Sequence, residues 1–137
     1  MSLDLKRDVF QPVVSRITER SDSLRDVKRF SNVGIEGWFK VEIVAALGGK
    51  VTSLNNKGPD LTLEDQTKIE IKAATNFAKS WCVIDPIKKY GFPVLFLADG
   101  SDPTKFTEGD DAFEVIGCEV VSDGANSWLL GLAKPKS

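Results

Sequence analysis

The sequence predicts an α/β (α+β) fold: a mixed central β-sheet flanked by helices, in the order α-β-β-β-α-β, with a helical segment before it and extra strands after it. Three observations carry this expectation. A stretch of helical spacing from Ile35 stops at Gly48-Gly49, and two alternating runs, 60–64 and 68–73, are separated by a short polar loop. Val94-Leu95-Phe96-Leu97-Ala98 is apolar at every position, as strands buried on both faces are. A length of 137 residues suits one domain with a single sizeable core. Its expected parts are a helical appendage over 1–30, a core over 35–98 and C-terminal strands over 112–134.

The elements follow in chain order. From Leu3 to Phe30 charged residues alternate with Leu5, Val9, Val13, Val14, Ile17 and Leu24, which reads as one or two amphipathic helices interrupted at Pro12. This segment suits a packing appendage, a dimer element or a DNA-contacting arm. The helix from Ile35 has the glycine pair as its C-terminal stop. Lys50 to Leu54 is a short strand, Asn55 to Pro59 a loop, and the two alternating runs form a hairpin. A short helix over Pro86 to Tyr90 ends at Gly91, since proline is tolerated in a first turn and glycine favours a C-terminal cap. After the apolar strand, Asp99 to Asp111 reads as a surface connection. Phe113 to Val121 and Ser127 to Ala133 then extend the sheet through a turn at Asp123-Gly124.

Side chains alternate faces along a strand, so Ile69, Ile71 and Ala73 share one face of the second run, with Lys68, Glu70 and Lys72 on the other. In the first run Leu61 and Leu63 lie opposite Asp60, Thr62 and Glu64. A hairpin that joins the two apolar sets needs an odd-numbered loop, and Asp65-Gln66-Thr67 supplies one. That loop sets Leu63 against Ile69, Leu61 against Ile71, Thr62 against Glu70 and Asp60 against Lys72. Directly opposed Cβ atoms lie about 4.5–5.5 Å apart and diagonal ones about 7–8 Å, so Asp60 and Glu70 could share a cation beside Lys72. Two hard oxygen ligands and an ammonium on one surface are what divalent-metal-assisted phosphodiester cleavage calls for. A merely solvated hairpin face of alternating charge has the same pattern.

A third carboxylate bears on that choice. At about 100° per residue, Glu42 falls within the arc of Ile35, Trp38, Phe39, Ala45 and Ala46. An ionised carboxylate there needs a cation, a hydrogen-bond donor or a metal. Glu36, at the edge of the arc beside Lys40, has a simple solvated explanation, so Glu42 is favoured as the functional acid.

An acidic residue on a helix, then Gly58-Pro59-Asp60, then Glu70-Ile71-Lys72 at the end of a strand, resembles the PD-(D/E)xK nuclease superfamily, which includes restriction endonucleases and archaeal Holliday-junction resolvases. The resemblance covers roughly residues 35–98 and implies a restriction endonuclease-like core. It implies that Asp60 and Glu70 bind Mg2+ (or Mn2+), with the Ile71 main-chain carbonyl as a further ligand. Glu42 would complete the metal shell, and Lys72 would be the catalytic lysine that orients or activates the attacking water.

Composition narrows the chemistry further. The chain has no histidine, which removes serine-histidine and cysteine-histidine catalysis and histidine-metal sites, so hydrolysis must run on carboxylates, lysine and metal. Cys82 and Cys118 are too few and too far apart for a zinc site and read as buried apolar-like residues. Lys6 and Arg7 are followed by no uninterrupted apolar run and no segment is long enough to span a membrane, so a cytoplasmic protein is expected. The 18 Lys and Arg against 20 Asp and Glu weigh against extensive phosphate contact. A local basic face is still available: Lys57, Asn76 and Lys79 flank the proposed site as candidate nucleic-acid contacts, with Lys88 and Lys89 beyond. Arg20, Arg25, Lys28 and Arg29 thicken the end of the N-terminal segment. The expected protein is a metal-dependent endonuclease acting on nucleic acid, with DNA favoured as substrate. A homodimer is expected because one small site per chain needs two chains to cut two strands, and a separate partner for recognition is a further option. The alternatives are a binding module that keeps the fold without turnover, and an interaction protein with a solvated hairpin.

Overall fold

The computed structural model describes residues 3–30, 34–55, 59–74, 87–99 and 113–136. Lys57, Asn76, Lys79, Cys82, Pro86 and most of the expected surface connection after Asp99 lie outside these residues. Within them the fold is mixed α+β. Helices α1 (Gln11–Glu19), α2 (Ser21–Phe30) and α3 (Gly34–Leu47) precede β1 (Val51–Leu54), β2 (Leu61–Leu63), β3 (Lys68–Ala74), β4 (Val94–Asp99), β5 (Phe113–Ser122) and β6 (Ser127–Pro135). The strands form one sheet in the order β1-β2-β3-β4-β6-β5, in which β3 and β4 run parallel and every other neighbouring pair is antiparallel. Residues 87–90 are helical, and the N–H of Gly91, at φ 74°, closes on the Ile87 carbonyl at 3.0 Å, the expected glycine stop. No helix of the described residues is long and apolar enough to cross a membrane.

The N-terminal segment belongs to the main core. Leu5–Phe10 winds as a wide π-helical stretch before α1. Pro12 explains the widening, because its ring would press on the carbonyl four residues back and it has no N–H to offer it. That carbonyl, on Asp8, accepts instead from Lys50 Nζ at 3.1 Å. Val9, Val13, Ile17 and Leu24 are fully buried and pack with Ile35, Phe39 and Ile43 of α3. The sheet contributes Leu61, Leu63, Ile69, Ile71, Leu95, Leu97, Leu130 and Leu132 to the same layer.

A smaller layer covers the opposite face, with Val94 and Phe96 of β4 against Ile87, Phe113, Leu129 and Ala133. Strand β4 is thus buried on both sides, which its unbroken apolar sequence requires. Half-buried Cys118 packs against this layer, its thiol pushed up to about 11 by burial and by the charge of Glu119. At the β5–β6 turn, buried Asp123 accepts from the Ala125 and Asn126 N–H groups at 2.8 and 2.6 Å and from Trp128 Nε1 at 2.9 Å.

The hairpin register differs from expectation. Leu61 opposes Ile69 and Thr62 opposes Lys68, a shift of two residues. The loop is still three residues long but is Glu64-Asp65-Gln66: the Leu63 N–H donates to the Thr67 carbonyl at 2.8 Å, and Gln66 takes φ 75°. Asp65 fixes this choice, accepting from the Thr67 N–H at 3.0 Å through Oδ1 and from the Leu3 N–H at 2.9 Å through Oδ2. An even shift leaves every side chain on its predicted face. Asp60 therefore comes opposite Glu70 instead of Lys72.

Gly131 in β6 lies under the Phe96 ring, which occupies the space a Cβ would need. Gly131→Ala is expected to destabilise the protein by about 1–3 kcal/mol through overpacking of the strand buried on both faces. Chemical denaturation measures this; an unchanged midpoint would mean that the ring moves aside freely.

Candidate functional site

The site is built where β2 parts from β3. Ile69 is the last residue of β3 paired with β2, while β3 continues along β4 to Ala74. The Glu70 N–H donates toward the β4 side, to the Pro93 carbonyl at 2.9 Å, so the next N–H, on Ile71, points into the opening fork. With β2 gone, a side chain supplies its acceptor: Asp60 Oδ2 takes the Ile71 N–H at 2.7 Å. The Asp60 carbonyl accepts from the Asn55 N–H of the β1 side at 2.9 Å, which anchors the residue from behind.

Two further side chains meet Asp60, and a third acts on its neighbour Glu70. Lys40, reaching from α3 on the helical side of the sheet, places Nζ 3.0 Å from Oδ1. Glu70, on the opposite face in register with Val94, shares a side-chain hydrogen bond with Asp60. Lys72, two residues on and on the face of Glu70, acts on Glu70 by charge. Between α3 and the β1–β2 edge a cleft of about 360 Å³ opens onto Asp60 and Lys40, walled by Val41, Val44, Leu54 and Leu61. Val41 and Leu54 are 67% and 62% exposed, so this wall is wet although apolar.

Two carboxylates in hydrogen-bond contact do not both ionise readily. Burial, then the hydrogen bond and charge of Asp60, push Glu70 up to about 7, against the smaller opposing influence of Lys72. Burial would raise Asp60 as well, but the contacts with Glu70, the Ile71 N–H and Lys40 outweigh it and hold Asp60 below the usual carboxylate range. The shared proton therefore sits on Glu70. Two hard oxygen donors in contact are of the kind that could hold a small divalent cation such as Mg2+ or Mn2+. The Ile71 carbonyl lies on the same strand edge as its N–H and could join them.

Glu42 is not brought to this place. It points into the interior as expected, at 3% exposure, but its partners are Arg16 Nε at 2.6 Å and Arg20 Nε at 3.3 Å, both on the α1 side of the helix. Around α3 it lies about 160° from Lys40. Among the described residues no group of three His, Cys, Asp or Glu side chains gathers around a common point, so Asp60 and Glu70 stand as a pair. The physical reason is that Glu42 has found its counter-charge in the N-terminal helices. Sequence reasoning missed Lys40, although the spacing of Glu36 and Lys40 by one helical turn placed a cation on the helix face opposite Glu42.

Other expected basic residues are engaged within the fold. Besides Arg20, Lys28 pairs with Asp99 at 2.6 Å and lies 5.2 Å from the Trp128 ring centre, and Arg25 lies 3.9 Å from Asp26. Lys89 lies over Tyr90 at 5.2 Å. No protein-family model matches this chain, and comparison with curated proteins and with solved structures found no significant match.

Two outcomes follow from this geometry. Glu42→Gln is expected to cost about 1–3 kcal/mol, through weakened charge-assisted hydrogen bonds to half-exposed arginines, while leaving divalent-metal affinity unchanged. Denaturation and calorimetry on the same variant check both, and a loss of metal affinity would return Glu42 to the site.

The second concerns pH. A carboxyl with a raised folded-state pKa binds its proton more tightly when folded, so its effect is absent below about 4.5 and stability falls as pH rises from there through about 7. Asp60 has the opposite sign: its contribution is present above about 3.8 and is lost as pH falls through its lowered pKa. Without metal, Glu70→Gln should therefore gain thermal stability relative to the parent between about pH 4 and about pH 8. A constant difference across that range would show that Glu70 carries no shifted proton.

Proposed function

We propose that this chain is a metal-dependent endonuclease with a restriction endonuclease-like core, hydrolysing phosphodiester bonds in nucleic acid, with DNA as the favoured substrate. The observation that carries the reading is the hydrogen-bonded pair Asp60–Glu70 at the β2–β3 fork, with Lys72 on the face of Glu70. The element order supports it. Helix α3, strands β1 to β3, helical residues 87–90 and the parallel strand β4 follow the α-β-β-β-α-β order that the resemblance implies.

In this reading Asp60, Glu70 and the Ile71 carbonyl would hold Mg2+ or Mn2+. When bound, the ion would supply a Lewis acid for the scissile phosphate and a field that makes water more acidic. The chain's own residues do the rest. Glu70 gives up the proton it shares with Asp60 when the pair takes up positive charge. Lys72 places an ammonium beside the carboxylates, where it orients the attacking water and offsets the negative charge that builds on the phosphoryl oxygens. The Ile71 N–H keeps the Asp60 carboxylate aimed into the fork. Glu42, tied to Arg16 and Arg20, supports α3 from behind. Lys57, Asn76 and Lys79 remain the proposed nucleic-acid contacts, and a homodimer the proposed assembly, since each chain offers one such site.

A second reading is favoured by one observation. Lys40 already occupies Asp60, and no third carboxylate joins the pair among the described residues. A binding module of the same fold, without turnover, would be built in this way.

Cleavage of plasmid, branched and single-stranded DNA and of RNA with Mg2+ or Mn2+ separates the two. Cutting that falls at least about 100-fold in Lys72→Ala, with fold and metal binding retained, is the expected result. Asp60→Asn should weaken metal binding in calorimetry. Binding of nucleic acid with no cutting under any condition would favour the module, and an unchanged rate in Lys72→Ala would remove that residue from the chemistry.

A further inference from the structure

Lys40 is the group the nuclease reading leaves unexplained. A metal at Asp60 and Glu70 would put two positive charges against an ammonium that already sits 3.0 Å from Asp60 Oδ1. Both cations cannot keep the same carboxylate at low cost.

Three carboxylates act by charge on the Lys40 ammonium: Asp60, Glu36 and Glu70. Two of them are the proposed metal ligands, which leaves Glu36. It lies four residues earlier on α3, in the Glu-then-Lys order that favours side-chain pairing along a helix. The Lys40 side chain is 41% exposed, so its end can swing without opening the core. Apart from Asp60 and the uncharged Asn55, the cleft beside Lys40 is walled by aliphatic residues, Val41, Val44 and Leu54 among them, which offer the ammonium no second charge.

We propose that Lys40 is the resident cation of this site: it holds Asp60 while no metal is bound, and yields to the metal by moving one helical turn back onto Glu36. The inference rests on the metal-site reading and adds a competitor built into the protein. Lys40 acts through Asp60 and is a positioning residue. The pair of alternative partners makes metal loading an exchange of cations, so free metal must exceed a threshold that Lys40 sets.

The test is Mn2+ affinity, measured by calorimetry or electron paramagnetic resonance on the full chain without substrate. Lys40→Met should bind Mn2+ about tenfold tighter, the size of effect that a neighbouring unit charge exerts on a carboxylate. Lys40→Arg should keep the parent affinity. Glu36→Gln should weaken binding severalfold, because the displaced ammonium loses its second partner, and that effect should vanish in Lys40→Met. This coupling separates an exchange from simple addition of charges, in which Glu36→Gln would act equally in both backgrounds. Equal melting temperatures of the variants exclude misfolding as the cause. If Lys40→Met binds no tighter than the parent while Asp60→Asn still loses metal, the role of Lys40 is overturned and the metal site stands. If neither the parent nor Lys40→Met binds Mn2+, both fall together.

Discussion

A single main-chain N–H, on Ile71, organises the candidate site. Strand β3 pairs with β4 along one edge from Glu70 to Ala74 but with β2 along the other only at Lys68 and Ile69. An unpaired N–H in the part-buried fork beyond that point would cost about 1–3 kcal/mol. The chain meets the need with Asp60, the residue just before β2, whose carboxylate reaches across to stand in for the missing strand. Once Asp60 is fixed there, the alternation of β3 puts Glu70 beside it and Lys72 two residues further on. A demand of backbone pairing thus forces two acids into contact in a place half withdrawn from water. Their chemistry follows from that contact.

Much of this was legible because faces are more robust than register. The hydrophobic alternation of 60–64 and 68–73 assigned every side chain to its side of the sheet, and those assignments survive a two-residue slip because the period of a strand is two. The slip itself was hidden in Asp65. Its carboxylate ties both the Thr67 N–H inside the turn and the Leu3 N–H from far away in sequence, and only the second of these lies beyond local pattern. The continuous apolar run of β4 and the glycine stop of α3 were readable for the same local reasons. The partner of Glu42 was not. That an inward-facing glutamate needs a counter-charge follows from its helix face; that Arg16 and Arg20 provide it depends on how α1 packs on α3, which no periodicity encodes. Pro12 was a visible interruption, but its remedy, a widened turn with Lys50 on the freed carbonyl, joins segments far apart in the chain.

The distribution of cations bears most on function. The chain carries two more acids than bases, and several of the described arginines and lysines are paired with its own carboxylates: Arg16 and Arg20 with Glu42, Lys28 with Asp99, Lys40 with Asp60. These pairs differ in what they cost to break. Glu42 is buried, so its arginines hold a charge that has nowhere else to go. The Asp60 side chain is 13% exposed and that of Lys40 41%, so this pair lies nearer to water than Glu42, at 4%, and solvent screens it more. Glu70 adds a proton that leaves near neutrality. At the fork positive charge is therefore exchangeable: an ammonium on a half-exposed side chain and a proton lost near neutrality together balance two carboxylates. A small dication could replace both at once, restoring the same charge balance with one ion. A fold that served only stability there would have gained more from a neutral side chain in place of Glu70, and the β2–β3 fork keeps both acids.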